Sequence, residues 1–159
     1  MTTTDPGAQP STPRFDVDLV ENVMVPMRDG VRLVTTAVDT DFTAKLIDVY
    51  PPSEWYPLGY ALNLTDSIMR LRYRNGPEKQ ELVNPGEPVP LTVTLYPTSN
   101  LFVRGHRIRL DISSSNFPRF DVNPNSGEPI GRDRRRVVAD NTVFHEPGRP
   151  SRVILPLIG

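Results

Sequence analysis

Alternation of apolar and polar residues divides this chain into short predicted strands. The clearest is 106–112, HRIRLDI, in which a histidine and three aliphatic residues share one parity and three charged residues the other. That period of two predicts a half-buried strand, with the histidine at the start of its inward face. Residues 42–50, FTAKLIDVY, carry apolar side chains on both parities, which predicts a central strand covered on both faces.

The same alternation predicts further strands, separated by turn-forming residues. Asp29–Gly30 lies between two alternating segments, 17–25 and 31–36, and favours a β-hairpin because both residues accept positive φ. Residues 60–74 offer the best helix alternative, but the alternation of apolar residues with arginine from Met69 to Arg74 predicts a strand with one exposed face. More strands are predicted at 89–96, 135–146 and 152–158.

These seven or eight strands, punctuated by 18 prolines and 10 glycines, predict an all-β fold of the antiparallel jelly-roll β-sandwich type. The length of 159 residues suits a single domain. We expect a disordered tail at 1–14, which lacks an apolar anchor. A β-hairpin at 15–36 and the sandwich itself at 37–159 complete the predicted organisation.

The composition argues against several kinds of function. A net charge of −1 provides no overall field that would attract nucleic acid or an anionic membrane. The absence of cysteine excludes disulfides and thiolate metal sites. No apolar run approaches the roughly 18 residues of a membrane span, and no basic-then-apolar leader is present. We therefore expect a cytoplasmic protein that binds neither nucleic acid nor membrane and uses no cofactor.

Five motifs in the chain are long and specific. They are TDFTAKLIDVYP, ALNLTDSIMRLRYR, YPTSNLFVRGHRIRLDISSSNFPRFDVNPNSGEP, NTVFHEP and SRVILPLI, and with their connections they span about 39–159. These motifs resemble the C-terminal domain of the CocE/NonD serine hydrolases, the peptidase group that includes the X-Pro dipeptidyl-peptidases. The resemblance implies a galactose-binding-like jelly roll that packs against an α/β-hydrolase domain and helps to wall its active site. A separate motif nearer the N-terminus, VMVPMRDGVRLVTT at 23–36, is similar to the opening hairpin of that α/β-hydrolase domain.

One family motif is missing from the chain. The family's nucleophilic serine lies in a G-x-S-x-x-G elbow on a strained turn between strand and helix, and this sequence contains no such motif. The resemblance therefore implies a domain that does not itself hydrolyse esters or amides. Full-length members separate the two matched pieces by several hundred residues, whereas here they meet near Thr36 to Asp39. We hypothesise an internally deleted descendant or a mis-assembled reading of a longer hydrolase, in which 31–36 replaces a lost strand. Such a sandwich is incomplete, with an open edge available for self-association.

The remaining candidates for catalysis are His106, His145 and the serines 113–115. A triad needs serine, histidine and a carboxylate within hydrogen-bond reach, together with an oxyanion hole. We interpret His106 as a hydrogen-bonded structural residue and His145 as a surface or turn residue. The serines are interpreted as groups that satisfy backbone atoms at a strand end. No catalytic residue is assigned.

Two polar stretches are also interpreted as structural. Residues 121–132 begin like a calcium-binding loop, but the glycine is one position late and Arg132 occupies the last ligand position. No metal site is therefore predicted. The basic run from Arg132 to Arg136 contains Asp133 and has no interleaved aromatic residue. It is interpreted as the solvated start of a strand and not as a nucleic-acid surface.

The best candidates for ligand binding are Trp55, Phe117, Arg119 and Phe120. Loop aromatics at one end of a sandwich can stack on sugars or acyl groups, and Arg119 offers a polar contact. The alternative is that they fill the core edge or face a catalytic domain. The favoured function is a non-catalytic domain of an X-Pro dipeptidyl-peptidase-like hydrolase. The alternatives are a stand-alone carbohydrate- or ligand-binding module and a docking subunit for a separate α/β-hydrolase.

Overall fold

A computed structural model describes residues 31–156, which form six strands and one short 3-10 turn. The strands are β1 (Val31–Thr35), β2 (Asp41–Tyr50), β3 (Tyr60–Arg70), β4 (Val89–Leu91), β5 (Arg107–Ser113) and β6 (Asn141–Val143). They form two three-stranded sheets in the orders β4-β1-β6 and β3-β2-β5. Every pairing is antiparallel. The predicted all-β antiparallel sandwich is confirmed.

The longer sheet is built around β2. All ten residues of β2 pair with β3, and seven of them also pair with β5. Leu46 and Ile47 are neighbours in sequence, so their side chains point to opposite faces, and both are buried. The prediction that 42–50 is a central strand covered on both faces is confirmed. A β-bulge between Leu46 and Ile47 shifts the register with β3 at Leu64.

The shorter sheet is built on both sides of its central strand, β1. The ladder between β1 and β4 reaches its last described pair at Val31 and Leu91. Continuing this antiparallel register would place residues 92–96 opposite positions before Val31, which are outside the described residues. The strand predicted at 89–96 is therefore observed only over Val89–Leu91.

On the other side of β1, the ladder with β6 ends where Thr35 meets Asn141. The chain bends directly after Thr35, so the residues before Asn141 have no straight partner strand to follow. The strand predicted at 135–146 is consequently reduced to Asn141–Val143. Within residues 31–156, β4 and β6 each pair with β1 over three residues.

The core lies between the two sheets. The shorter sheet contributes Leu33 and Leu91, which face Phe42 of β2, and Leu71 and Val83 close the cluster from the connection between the sheets. Each of these side chains is buried, and burying an aliphatic or aromatic side chain of this size contributes about 1.5–3 kcal/mol. This cluster holds the two sheets together face to face.

Two strand predictions need correction. β3 ends at Arg70 and a 3-10 turn covers Leu71–Tyr73, so the predicted strand over 69–74 is wrong beyond Arg70. The alternation fails there because Leu71 turns into the core and the Arg72 backbone N–H donates to Asp39. Residues 152–156 form no strand either.

Other predictions fall outside the described residues. These are the tail at 1–14, the first hairpin arm at 17–25 and residues 157–158 of the last predicted strand. Between residues 31 and 156, no helix is long and apolar enough to cross a bilayer.

Candidate functional site

The predicted ligand-binding residues lie at two ends of the longer sheet. Trp55 is in the loop after Tyr50, the last residue of β2, and its side chain is 85% exposed. Phe117 follows β5, whose last residue, Ser113, pairs with Thr43 near the start of β2. Thr43 and Tyr50 are seven positions apart along this extended strand, which corresponds to about 23 Å. Trp55 and Phe117 therefore do not form one aromatic platform.

Arg119 folds back from the end of β5 onto β3. Its Nε donates to Asp66, a buried carboxylate, at 2.9 Å. Asn116 Nδ2 donates to the second oxygen of Asp66 at 3.1 Å. The guanidinium of Arg119 also lies 5.5 Å from the centre of the Phe120 ring. The structure thus brings Arg119 and Phe120 together, while Phe117 stays 70% exposed.

A shallow cavity of about 410 Å³ lies beside Arg119. It is lined by Asn63–Asp66 of β3, by Tyr96 and Pro97, and by Arg119. Thr65 Oγ1 donates to the Tyr96 carbonyl at 2.8 Å, which closes one side. The aromatic candidates do not line this cavity, and its one arginine is paired with Asp66.

His106 is hydrogen-bonded, as its interpretation as a structural residue requires. Its Nδ1 lies 2.8 Å from Asp48, which is fully buried on β2. Asn100 Nδ2 donates to the other oxygen of Asp48 at 3.1 Å, and the Tyr50 ring stands 4.1 Å from the imidazole. His106 precedes β5 and the serines 113–115 follow from its last residue, so the predicted nucleophile and base candidates lie at opposite ends of one strand.

Ser113 and His145 also behave as predicted. Ser113 Oγ donates to the carbonyl of Ser115 at 3.0 Å and accepts from its N–H at 3.3 Å, which closes a turn at the strand end. His145 is exposed two residues after β6. Among residues 31–156, no carboxylate forms a hydrogen bond with either side chain of the kind that a catalytic base or nucleophile requires.

In the loop that resembles a calcium site, the Asn123 side chain points inward and donates hydrogen bonds through its amide nitrogen. Asn123 is buried, and its Nδ2 donates to Asp39 at 2.9 Å and to Asp41 at 2.8 Å. Its Oδ1 accepts from the N–H of Asn125 at 2.9 Å. Both ends of this amide therefore have structural partners.

The basic run from Arg132 to Arg136 is exposed. The solvated character is as predicted, but the start of a strand is not, because β6 begins only at Asn141. The Arg134 N–H donates to a Glu128 carboxylate oxygen at 2.8 Å. This hydrogen bond is the main reason that the pKa of Glu128 is lowered.

A buried ionic network at the start of β2 is not among the features predicted from the sequence. Arg72 Nε donates to Asp39 at 2.8 Å, with both side chains buried. Arg70 binds Asp41 through two hydrogen bonds of 2.8 and 2.9 Å, and these raise the pKa of Arg70. The available signal was the matching two-residue spacing of the acidic pair, Asp39 and Asp41, and of the basic pair, Arg70 and Arg72.

An aromatic cluster at the end of β2 was also missed. Tyr56 and Tyr60 stack with ring centres 4.9 Å apart. Tyr50 meets both rings edge-on at 5.9 Å. Trp55 lies in the same loop and projects into solvent. The available signal was two tyrosines that flank a proline-rich loop and a third tyrosine within it.

The family model of the X-Pro dipeptidyl-peptidase C-terminal non-catalytic domain matches residues 27–154. This range contains all six strands. The chain belongs to this family. It is therefore a non-catalytic C-terminal domain of the X-Pro dipeptidyl-peptidase and CocE-like hydrolases, and the resemblance seen in the sequence is confirmed.

Relatives of this X-Pro dipeptidyl-peptidase C-terminal domain are much longer proteins. The chain is 42% identical over 126 residues to cocaine esterase from Rhodococcus sp. (strain MB1 Bresler). It superposes on a solved α-amino acid ester hydrolase with a TM-score of 0.70 at 30% identity. An aminopeptidase from a marine sediment Thaumarchaeota archaeon gives a TM-score of 0.71 at 28% identity. Each match covers 78% of this chain and 21% of the relative, so the chain spans about a fifth of their length.

Proposed function

We propose that this chain acts as an accessory β-sandwich that packs against the catalytic portion of a CocE- or X-Pro dipeptidyl-peptidase-like serine hydrolase. One observation carries the proposal: the match is to a non-catalytic domain, and it covers only 21% of the relatives. The other four fifths of those relatives lie outside the matched domain. The reaction is ester or amide hydrolysis by a serine nucleophile, and that nucleophile belongs to the catalytic portion.

In this role the chain contributes no nucleophile of its own. The G-x-S-x-x-G elbow is absent from the sequence. His106 is held by a fully buried carboxylate and by the Tyr50 ring, which suits a structural residue better than a base that must approach a substrate. The domain supports a catalytic portion by covering its surface.

The absence of intrinsic activity is tested on the chain alone. The purified protein is mixed with p-nitrophenyl acyl esters and with X-Pro nitroanilides. We expect no turnover above buffer. A burst of nitrophenol that is stoichiometric with the protein would overturn the non-catalytic role.

The supporting role is tested by grafting. The full chain replaces the matched C-terminal fifth of the Rhodococcus cocaine esterase, and a version that simply lacks this fifth serves as the control. We expect the graft to recover soluble, active esterase, with a higher midpoint of thermal inactivation than the truncated control. Equal behaviour of the graft and the truncated control contradicts the proposal.

A ligand-binding module is the second candidate function. The exposed Trp55 ring and the cavity beside Arg119 favour it, but these features are built from different loops and do not converge. A glycan array probed with the wild-type chain and with the Trp55→Ala and Phe120→Ala variants tests this function. A glycan that binds the wild type and is lost in either variant favours the module.

A docking subunit is the third candidate function. It differs from the first proposal only in that the catalytic partner is a separate chain. Mixing the purified chain with the truncated cocaine esterase and measuring co-elution distinguishes a separate subunit from a covalently joined domain.

A further inference from the structure

An asparagine followed by a glycine lies in the turn after the 3-10 segment. Asn75–Gly76 is the only Asn–Gly pair in the sequence, and Asn75 is exposed. An asparagine side chain loses its amide spontaneously when the backbone nitrogen of the next residue attacks the amide carbon. Glycine hinders this attack least because it has no side chain. Asn75 is therefore the asparagine of this chain at which the reaction meets the least steric resistance.

The backbone of this turn requires the glycine. Gly76 has a φ of +130°, a conformation that side-chain-bearing residues rarely adopt, and a Cβ added there would point into open space. The Gly76 N–H donates to the Tyr73 carbonyl at 3.0 Å, and the Arg74 N–H donates to the Leu71 carbonyl at 3.2 Å. The turn thus continues directly from the 3-10 segment, and it places an unhindered backbone nitrogen beside Asn75.

A hydrogen bond to Glu81 holds the Asn75 side chain. Asn75 Nδ2 donates to Glu81 Oε2 at 2.6 Å, at an exposed position. The Glu81 backbone is fixed in turn, because its N–H donates to the Arg72 carbonyl at 2.8 Å. Loss of the amide requires Nδ2 to gain a proton, and donation to a carboxylate opposes this. The Glu81 contact therefore slows the reaction for as long as it is closed, and exposed contacts of this kind are weak.

We propose that Asn75 deamidates spontaneously in the folded protein when its hydrogen bond to Glu81 opens. The Gly76 nitrogen loses its proton to hydroxide and forms a bond with Asn75 Cγ. The bond between Cγ and Nδ2 breaks, and the leaving nitrogen takes a proton from water and departs as ammonia. Water then opens the cyclic imide at either carbonyl, which gives aspartate or isoaspartate. Water is the only co-reactant that this sequence of steps consumes.

The chain contains a matched site at which this reaction is blocked. Asn84 Nδ2 donates to Glu87 Oε2 at 2.9 Å, also at an exposed position, so its side chain is held in the same way as that of Asn75. The residue after Asn84 is Pro85, whose nitrogen carries no proton and cannot form the neutral imide. A difference in deamidation between positions 75 and 84 therefore reports on the attacking nitrogen.

Deamidation changes the charge of this loop permanently. The product carboxylate has no proton to donate to Glu81, so the hydrogen bond does not re-form and two carboxylates face each other. In the unmodified protein, hydrogen bonds from Lys79 and Asn75 lower the pKa of Glu81. Loss of the Asn75 donor and gain of a neighbouring negative charge both raise that pKa. Each event also adds one negative charge to a formal net charge of −1, so modified chains separate from unmodified ones in ion exchange.

The test incubates the full chain in mildly alkaline buffer and maps its peptides by mass spectrometry. We expect aspartate and isoaspartate to accumulate at position 75, while Asn84 stays unmodified. Glu81→Ala removes the acceptor and should speed the conversion by about two- to five-fold, the factor that corresponds to an exposed contact of this kind. Glu78→Ala is the matched control, because Glu78 is an exposed carboxylate of the same loop that is not the partner of Asn75. This control should convert at the wild-type rate.

Other results would overturn the proposal. Conversion at position 75 that occurs only in urea, or not at all, would show that the folded chain does not react. Equal conversion of Asn75 and Asn84 would show that the Gly76 nitrogen is not the attacking group. Asn125, which precedes Ser126, monitors the fold as a whole. An unchanged rate in Glu81→Ala, or a rise that Asn125 shares, would mean that the hydrogen bond to Glu81 does not control the reaction.

Discussion

His106 Nδ1 lies 2.8 Å from Asp48, and this contact joins the residue just before β5 to the middle of the longer sheet across 58 positions of sequence. Asp48 is fully buried. If the His106 imidazole is removed, the Asp48 carboxylate keeps its hydrogen bond from the Asn100 amide but loses its closest partner. We predict that His106→Ala lowers the free energy of unfolding by about 2 kcal/mol, within the range of 1–3 kcal/mol for a buried polar group left short of a partner.

Urea unfolding measures this change. His145→Ala is the matched control, because His145 is exposed and such substitutions stay within about 0.5 kcal/mol. Equal stability of the two variants would contradict the structural role of His106.

A larger loss is predicted at Arg72, which pairs with Asp39 where both side chains are buried. Arg72→Met keeps much of the volume and leaves the Asp39 carboxylate without its charged partner. Breaking a buried pair in this way costs about 3–5 kcal/mol. Chemical denaturation of the variant should show this decrease.

Arg109→Met is the control for Arg72→Met. Arg109 also pairs with an aspartate, Asp111, but about half of each side chain is exposed. Exposed pairs contribute about 0–1 kcal/mol, so this variant should remain close to the wild type. A similar loss in both variants would mean that burial does not set the strength of these pairs.

The sequence predicts those features that depend on one strand alone. Apolar residues on both parities of 42–50 identify β2 as the central strand, because only a strand covered on both faces tolerates them. The start of β6 at Asn141 could not be predicted in this way, because it depends on the bend that follows Thr35 in the neighbouring strand. The end of the alternation at Leu71 could not be predicted from the strand either, because Leu71 turns into a core that is formed by residues distant in sequence.

The candidate site shows the same limit. Trp55 and Phe117 are both loop aromatics, and their separation depends on the register of β5 against β2, which sequence patterns do not fix. The contact between Asp48 and His106 also follows from that register. By contrast, the turn at Ser113 is local, and local hydrogen bonding of serine is predictable from sequence.

Glu128 provides a prediction for pH. Its carboxylate accepts from the Arg134 N–H, and this hydrogen bond lowers its pKa below the ordinary value of 4.5. A carboxylate with a lowered pKa in the folded state stabilises the fold above the unfolded value, and the contribution is lost as the pH falls through the folded value. The stability difference between wild type and Glu128→Gln should therefore be present at neutral pH and shrink as the pH falls below the ordinary value of 4.5.

Urea midpoints at neutral and acidic pH measure this difference. Glu54→Gln, in the exposed loop after β2, controls for the removal of one surface charge. A difference between wild type and Glu128→Gln that is constant with pH would contradict the role of the carboxylate.

The outer edge of β5 leads to a prediction about association. Within residues 31–156, β5 pairs only with β2, and Ile108 on this seven-residue strand is partly exposed. An unpaired edge with an apolar residue is a template for another strand. We predict that the protein forms dimers at high concentration through two β5 strands. The Ile108→Lys variant should shift the population to monomer, because lysine on an edge strand opposes pairing.

Light scattering across a concentration series measures this association. Val138→Lys is the control, because it adds the same charge at an exposed position outside β5. Because Trp55 lies in the connection between β2 and β3, on the other side of the sheet, such a dimer should leave its fluorescence unchanged. A wild-type chain that stays monomeric throughout the series would show that this edge is protected.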